Sequence, residues 1–468
     1  MKRLSLFVLA ATMLAVSCRK IEVDDNGTNP GPGTGTGTTE NLIFSGRISS
    51  DRTLKAGNTY VLRGTVYVVD GAKLTIEPGV IIHGEKSSRG ALVITKGTQI
   101  LANGTVDKPI VFTSDAATPQ RGDWGGIVIL GRAKTNSSFN GVIGIGEIEG
   151  GVNNAEGLGT YGGADDNDNS GVLKYVRIEY AGYAFLPDKE LNGLTMGGVG
   201  KGTVIDHVQV SYANDDSFEW FGGSVDCKYL IAYKGLDDDF DADNGFSGRV
   251  QFGIIFRDST VADISGSNGF EVDNDAGGSS LLPQTSPTFS NITVIGPRAT
   301  LTSLGNSNFR RGAHLRRNSS VSIFNSIIMG WLTGLNLDAS TGTPTDLNYT
   351  AATPKAFISN TIFAGNNTPF TYLASTSAPT GWSTTSLTAY INRTGGGNSV
   401  FTNTSEVGLT AAFKYDNSVD FTPTAGSPAA TGGDFTNSKI AGGFFTPTSF
   451  IGAAGVGDTW WKVWTKYN

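Results

Sequence analysis

Short stretches in which apolar and polar residues alternate recur along the chain. Examples are Tyr60–Val69, Leu74–Ile82, Ala91–Thr95, Ile110–Thr113 and Trp124–Leu130. Alternation with a period of two residues is typical of β-strands that bury one face. Almost no stretch has the period of a helix, so the pattern predicts an all-β protein and argues against alternating strand–helix units.

Related segments recur at a period that indicates a solenoid. LKYVRIEYAG, from Leu173, matches IDHVQVSYAN, from Ile205, while NITVIG, NSIIMG and NTIFAG start at Asn291, Asn325 and Asn360. Repeats of roughly 35 residues without helices predict an all-β, single-stranded right-handed parallel β-helix with caps and long loop insertions. We expect the three asparagines to stack at one bend, with their amides hydrogen-bonded along the column. Three separate turn asparagines are the alternative.

The start of the chain has the layout of an export signal. Residues 1–17 carry Lys2, Arg3 and an apolar run too short to span a bilayer, which predicts a signal peptide. Cys18 follows as in a bacterial lipobox, so we expect it to be lipidated and residues 18–41 to form a flexible Gly/Thr/Pro tether. An ordinary signal peptide with a chance cysteine is the alternative.

The tether also carries acidic residues close behind the anchor. Glu22, Asp24 and Asp25 resemble the acidic signal that sends lipoproteins of the Bacteroidota type to the cell exterior. The resemblance implies an outer-membrane protein that is held by its lipid anchor only and faces outward.

The remaining chain divides into the β-helix and its covers. We expect the β-helix over residues 42–430, with an N-terminal cap within about 42–70, and a Trp-rich C-terminal cap over residues 431–468. Caps are needed because an open coil exposes strand edges and core. Three tryptophans (Trp460, Trp461 and Trp464) are predicted to close the last coil; stacking on sugars is the alternative reading.

Composition excludes some partners. The chain has 64 glycines, 16% charged residues and a formal net charge of -7, which argues against nucleic acid or an anionic membrane surface as the main partner. Cys227 is the one cysteine that remains after Cys18, so we expect a buried thiol and no internal disulfide.

Three acidic strands align with one another. In SFEWFG (217–222), DFDADN (239–244) and GFEVDN (269–274) the phenylalanines share one position and should point inward. The outward positions then form two columns, one of Glu219, Asp241 and Glu271 continued by His314 and Asn336, and one of Phe221, Asp243 and Asp273 continued by Arg316 and Asp338. Carboxylates stacked about 4.8 Å apart repel unless a cation, raised pKa values or basic neighbours compensate.

These carboxylates predict a metal or ligand site. Calcium fits best because it is a hard cation with oxygen ligands, and Asp239, Asp241 and Asp243 are the candidate ligands. Asp215, Asp216, Glu219 and Asp273 are the candidate ligand-binding residues on the same face. A solvated acidic face is the alternative. The sequence contains no zinc-ligand set, and we expect no nucleotide or haem.

A second acidic loop, DDNDNSG (165–171), starts like a calcium loop. Asp166 and Asp168 would be its ligands, but Arg177 stands where an EF-hand carries its bidentate glutamate. A lone calcium loop and a turn rich in Asp and Asn remain equal alternatives.

Several segments resemble one group of proteins. LTIEPGVIIHG, GDWGGIVILGRA, DSFEWFGGSVDCKYLIAYKG and the closing GVGDTWWKVWTKYN are similar to bacterial right-handed parallel β-helix surface proteins of largely unassigned function. The resemblance covers roughly residues 58–468. More distant β-helices of this hand include pectate lyases and polygalacturonases, which implies a carbohydrate ligand by analogy.

Three functions follow as alternatives. The first is a surface lipoprotein that binds, or helps to process, an extracellular polysaccharide beside an outer-membrane transporter. The second is a polysaccharide lyase or glycoside hydrolase in which Glu271, His314 and Arg316 carry the chemistry, with the arginine as base in a lyase. The third is an adhesive rod without a small ligand.

Overall fold

The computed structural model describes residues 41–186 and 189–468. The predicted signal peptide, Cys18 and the tether up to residue 40 lie outside this part. Within it, 26 strands form one hydrogen-bonded network whose pairings are parallel, and the chain folds as a right-handed parallel β-helix. The predicted fold class is confirmed. No helix of the described residues has the length and apolar character needed to cross a membrane.

The strands are short, and turns connect each strand to the next. The first coils contain β1 (Asn41–Ile48), β2 (Arg52–Leu54), β3 (Thr59–Val68), β4 (Lys73–Ile76), β5 (Ile81–Gly84), β6 (Ala91–Ile94), β7 (Gln99–Asn103), β8 (Ile110–Ser114) and β9 (Gly126–Leu130). A long insertion carries two hairpins, β10 (Ser138–Phe139) with β11 (Val142–Ile143), and β12 (Gly146–Glu147) with β13 (Thr160–Tyr161).

The later coils continue the same pattern. They contain β14 (Gly171–Glu179), the hairpin β15 (Ala184–Leu186) with β16 (Lys189–Glu190), β17 (Leu194–Gly197), β18 (Val204–Ser211), β19 (Phe218–Phe221), β20 (Cys227–Tyr233), β21 (Phe240–Asp243), β22 (Arg249–Phe256), β23 (Ser267–Val272) and β24 (Thr288–Ile295).

The last coils include short helices. They contain β25 (Phe309–Leu315), β26 (Ser322–Phe324), β27 (Ile327–Met329), β28 (Thr333–Asp338), α1 (Leu347–Thr350), β29 (Ile358–Ser359), β30 (Ile362–Ala364), β31 (Thr368–Leu373), α2 (Thr384–Ile391), β32 (Ser399–Phe401), and the hairpin β33 (Leu409–Ala411) with β34 (Asp420–Pro423). Three 3₁₀ turns lie at Lys86–Ser88, Thr404–Val407 and Pro428–Ala430.

Each coil contributes to three parallel ladders. The site sheet runs β6, β9, β17, β19, β21, β23, β25, β28, β31. The flank sheet consists of the second halves of β14, β18, β20, β22 and β24 followed by β27 and β30. The base sheet consists of the first halves of the same long strands followed by β26 and β29. Inward side chains of all three ladders form the apolar core, which includes the buried thiol of Cys227.

A left-handed residue makes the bend between the base sheet and the flank sheet. Tyr175, His207, Tyr229 and Phe252 have φ values between 49° and 63°, and their rings stack at centroid distances of 4.4, 4.3 and 4.9 Å. Non-glycine residues adopt this conformation only where the surroundings compensate its cost. The ring stack supplies that compensation.

The three predicted ladder asparagines continue the same bend, but their amides do not join one another. Asn291, Asn325 and Asn360 have φ values of 58°, 49° and 53°. Asn325 donates to Asp434 O at 3.0 Å and Asn360 donates to Gly432 O at 3.1 Å, while Asn291 donates to Thr448, Phe450 and Gly452. The prediction of a shared bend is confirmed, and the amide ladder is wrong because the amides hold the C-terminal segment instead.

The two ends of the solenoid are built from different elements. Within the segment expected to cap the N-terminus, β1 pairs in parallel with β3 as the first rungs of the network. At the other end, α2 packs Leu387 and Ile391 into the core of the last coils.

The C-terminal segment, residues 409–468, lies along the flank sheet and not over the last coil. Trp464 packs edge-on against Tyr175 and His207, at 5.8 and 5.6 Å, and Gln209 donates to Lys466 O at 2.9 Å. These partners belong to β14 and β18, in the middle of the solenoid. Trp461 and Trp464 therefore cover the outer face of a sheet, which is apolar and would otherwise contact water.

Candidate functional site

The predicted alignment of the acidic strands is confirmed. Glu219 pairs with Asp241, Asp241 with Glu271, and Glu271 with His314 along the site sheet. The intervening phenylalanines point inward and are fully buried, and the rings of Phe218, Phe240 and Phe270 meet edge to face at 5.5 and 5.7 Å. Close packing of this aromatic column fixes the spacing of the carboxylates on the opposite face.

A second set of carboxylates comes from the turns before these strands. Asp216 accepts the backbone N–H of Asp238 at 2.8 Å, and Asp238 in turn accepts the backbone N–H of Asn268. Asn192 accepts the backbone N–H of Asp216 in the same way. Each side chain thus satisfies a buried donor of the next coil, which holds its carboxylate or amide in place.

Asn192 and Asn268 are site residues that the sequence analysis missed. Each stands two residues before an inward apolar residue, as Asp216 and Asp238 do before Phe218 and Phe240. This repeated Asn/Asp position was the available signal.

The two sets meet in a continuous carboxylate run. Its members are Asp215, Asp216, Glu219, Asp237, Asp238, Asp241 and Glu271. They form three overlapping groups of three, and within each group one carboxylate oxygen of every member lies within 4.8 Å of the others. Asp237 Oδ1 is buried without a hydrogen-bond partner. Several carboxylate oxygens close together, one of them without a hydrogen-bond partner, form a set of oxygen ligands that fits a hard divalent cation such as calcium.

Burial raises the pKa values of most carboxylates in the run. Burial raises the pKa of Asp237 to about 6, with the charges of Asp263 and Glu271 acting in the same direction. Burial and neighbouring carboxylates also raise the pKa values of Asp216, Glu219 and Asp241 well above their ordinary range. These carboxylates therefore hold their protons more tightly than exposed carboxylates do, and a bound cation would relieve the repulsion between them.

Basic residues border one end of the run. His314 lies between two carboxylates, with Nδ1 3.2 Å from Glu271 Oε2 and Nε2 3.3 Å from Asp338 Oδ2. Arg316 contacts Glu271 and Asp273, the latter at 2.7 Å, and Arg317 lies 2.7 Å from Asp273. The three predicted catalytic residues are thus brought together.

These contacts set the charges at this end. Burial alone would raise the pKa of Glu271, but the hydrogen bond with His314 and the charge of Arg316 lower it overall. Burial likewise opposes ionisation of Asp338, yet hydrogen bonds from His314 and Ser340 lower its pKa to about 2. Burial lowers the pKa of Arg316, but Glu271 and Asp273 outweigh it and raise the pKa overall, so the guanidinium stays charged. The charged Arg316 can stabilise negative charge at this end of the run.

Asp239 is not a metal ligand in this arrangement. It precedes β21, its side chain is fully buried, and it lies 3.0 Å from the equally buried Arg257. Arg257 also donates to Gly235 O at 2.7 Å and to Asn268 O at 3.2 Å. Asp239 therefore does not project with the other two candidate ligands, Asp241 and Asp243, because strand alternation starts only at Phe240 and Asp239 faces the buried guanidinium.

Asp243 and Asp273 lie beside the run but outside its groups. Burial and the charge of Asp273 raise the pKa of Asp243 to about 8. Burial also raises the pKa of Asp273, although Arg316 opposes it.

The loop at residues 165–171 has the geometry of a turn. Asp165 accepts the N–H of Asn167 at 3.0 Å, and Asn169 accepts the N–H of Gly171 at 2.8 Å. Asp166 pairs with Lys134 at 2.5 Å, while Asp168 is buried and accepts from Ser170. Neither joins a metal-competent group within the described ranges, so the Asp/Asn turn is the better interpretation.

Comparison with known proteins agrees with the fold. The model of the pectate-lyase-like β-helix domain matches residues 46–410, which includes the site sheet and the carboxylate run. No curated protein and no solved structure matched the chain. Since the match covers most of the sequence, the chain belongs to the family of pectate-lyase-like β-helix domains.

Proposed function

We propose that the protein binds calcium at the carboxylate run and, together with the ion, an acidic extracellular polysaccharide. The observation that carries the proposal is the run itself, in which three overlapping groups hold carboxylate oxygens within 4.8 Å of one another. The orphaned Oδ1 of Asp237 is independent support. Membership of a pectate-lyase-like family fits a polysaccharide-related role.

The chemistry explains why a polysaccharide with carboxylates would be selected. Calcium takes 6–8 oxygen ligands, and a ligand carboxylate can complete a shell that the protein leaves open. Arg317 lies at the border of the site and is half-buried, so it can contact the same acidic sugar. A neutral glycan would lack both contacts.

Calcium titration of the whole protein tests the ion. Calcium is expected to raise the melting temperature by a few degrees at saturating concentration, and a chelator to reverse the gain. Glu219→Gln with Asp241→Asn should abolish the gain while raising the calcium-free melting temperature, because two repelling carboxylates are neutralised. Asp107→Asn, an exposed acidic position in a turn, is the control that keeps the full response.

Polysaccharide binding is tested on the same proteins. Polygalacturonate should bind the wild type and Asp107→Asn only when calcium is present, and a neutral glucan should not bind. The proposal fails if calcium neither binds nor stabilises the wild type, or if binding of the acidic glycan is indifferent to calcium.

We further propose that the protein is lipid-anchored at Cys18 in the outer membrane, faces the exterior and works beside a transporter. The lipobox resemblance and the acidic residues that follow it support this placement. Cys18→Ala should release the protein from the membrane fraction; retention of the variant in membranes would contradict the anchor.

A second candidate function is polysaccharide cleavage at the basic end of the run. The favouring observation is that His314, Glu271 and Arg316 lie in one contact network, which places a histidine and an always-charged arginine beside the cation groups. A screen for unsaturated products and new reducing ends, with His314→Ala as the control, tests it. Polysaccharides that bind but stay intact support a binding function without cleavage. If the polysaccharides are neither bound nor cleaved, the adhesive rod without a small ligand is the function that remains.

A further inference from the structure

A basic depression lies on the site sheet, away from the carboxylate run. It has a volume of about 650 Å³ and is lined by Lys96, Arg132, Gly162, Gly163, Ala164 and Asp165. Lys96 follows β6 and Arg132 follows β9, two neighbouring strands of the site sheet. The two cations therefore follow neighbouring strands at the same edge of the sheet.

Two glycines, Gly97 and Gly163, lie against Arg132. Gly97 has φ +83°, and a Cβ at this position would lie 2.2 Å from Arg132 Nη2. At Gly163 a Cβ would lie 2.7 Å from Arg132 O. The guanidinium of Arg132 therefore lies directly over Gly97, and the backbone of Arg132 lies against Gly163.

The two cations have no ion-pair partner. Within residues 41–186 and 189–468, neither Lys96 nor Arg132 lies within 4.0 Å of a carboxylate oxygen. Burial and the charge of Arg132 lower the pKa of Lys96. Asp165 brings one negative charge to a lining with two positive ones, and the charge of Arg132 also acts on the buried Asp168. Like charges held together in this way repel each other until an anion joins them.

We propose that Lys96 and Arg132 form an oxyanion site that takes a sulfate or carboxylate group of an acidic glycan. A planar guanidinium and an ammonium can bind one such group from two directions. The depression is open and wide enough for a sugar ring that carries the group. The site does not depend on calcium and stands apart from the carboxylate run.

Sulfate is the probe for this site. In whole protein without calcium, sulfate at up to tens of millimolar should raise the melting temperature, as expected for a ligand of the folded state. Lys96→Gln with Arg132→Gln should weaken the apparent affinity at least tenfold. Lys73→Gln with Lys108→Gln removes the same charge from exposed positions and should respond as the wild type does, which separates site binding from the general effect of sulfate on folded proteins.

Folding of the variant and the source of the anion are checked separately. Without sulfate, the double variant Lys96→Gln with Arg132→Gln should be at least as stable as the wild type, because a repelling pair is removed. If the double variant folds poorly, Arg132→Gln alone, which changes an exposed side chain, replaces it. Sulfated and uronate hexasaccharides of equal length then tell a sulfate group from a carboxylate. Equal responses of all variants, or no binding of sulfate to the wild type, would overturn the site without affecting the calcium proposal.

Discussion

At the residue scale, Asp239 shows how one position before a strand changes the role of a carboxylate. Its neighbours Asp241 and Asp243 follow the alternation of β21, whereas Asp239 lies in the turn and faces Arg257. Both side chains of this pair have no exposed surface. A buried pair of this kind is destabilised strongly when one partner is removed.

The cost of both possible deletions of this pair should depend on pH. Asp239→Asn leaves Arg257 charged at every accessible pH, so the free energy of unfolding should fall by about 3–5 kcal/mol at pH 8, where Asp239 is ionised. The cost should be smaller at pH 5, because burial raises the pKa of Asp239 to about 7 and the wild type is mostly protonated there. Arg257→Met leaves a carboxyl that can keep its proton, so its cost should grow from pH 5 to pH 8. Denaturant unfolding at both pH values measures this; equal costs that ignore pH would contradict the ion pair.

The calcium-free protein should become less stable as pH rises from 5 to 8. The pKa of Asp237 is raised to about 6 and that of Asp243 to about 8, so the folded state holds protons that the unfolded state has already released. A group with a raised pKa in the folded state loses stability as pH rises through that value. The lowered pKa values of Glu271 and Asp338 do not offset this, since their stabilising effect is already complete above pH 5.

Melting temperatures in the presence of a chelator measure this dependence. We expect a fall of several degrees between pH 5 and pH 8, and calcium at pH 8 should restore the lost stability. A flat or rising profile without calcium would show that the carboxylates ionise freely and are not confined as the structure describes.

At the element scale, the left-handed bend couples the coils from β14 to β30 to the C-terminal segment. Asn325 has φ 49°, its side-chain Nδ2 donates to Asp434 O, and its side-chain Oδ1 accepts the N–H of Asp434 at 3.0 Å. The same residue thus adopts the left-handed backbone conformation of the bend and binds the C-terminal segment that covers the flank sheet. Asparagine suits this position because it tolerates the left-handed region and has both a donor and an acceptor.

Two substitutions separate these contributions. Asn325→Gly keeps the bend but loses the two amide contacts, and should cost about 1–2 kcal/mol of unfolding free energy. Asn325→Val adds the strain of a β-branched residue at positive φ and should cost about 1–3 kcal/mol more. Denaturant unfolding of both variants compares them; equal losses would mean that the backbone conformation carries no cost.

At the scale of the whole molecule, residues 409–468 connect coils that do not touch. In a solenoid each coil contacts only its neighbours, so stability is a sum of local terms. Here the segment reaches from Tyr175 in β14 to Ala364 in β30. It also buries Ile254 and Phe256, which lie on β22 between these two strands. We infer that the coils under the segment unfold together.

Loss of one anchor of the segment should expose the flank sheet. Trp464→Ala removes a fully buried side chain and should cost about 3–5 kcal/mol, with increased binding of a hydrophobic dye. Val463→Ala changes a neighbour that is 72% exposed and has a φ of 77°, so it should leave stability unchanged or raise it slightly by relieving strain. If Trp464→Ala behaves like Val463→Ala, the segment does not hold the coils together.

The sequence predicted the solenoid and the strand alignment because both depend on inward alternation, which is local. It placed Glu219, Asp241, Glu271 and His314 in one column correctly. It failed where a side chain depends on a distant partner, as Asp239 does on Arg257. The segments CKYLIAY and RVQFGIIF carry a signal that was overlooked, since nearly continuous apolar runs indicate strands buried on both faces and so require an outer cover.

The position of the cover at the end of the sequence has a consequence for biogenesis. Residues 409–468 leave the ribosome after every coil whose outer face they bury. Until then Ile231, Ile254 and Phe256 form an apolar stripe on an otherwise complete stack of coils, open to chaperones and to other nascent chains. Because this segment, about an eighth of the chain, follows all the coils that it covers, aggregation through the flank sheet competes with its docking.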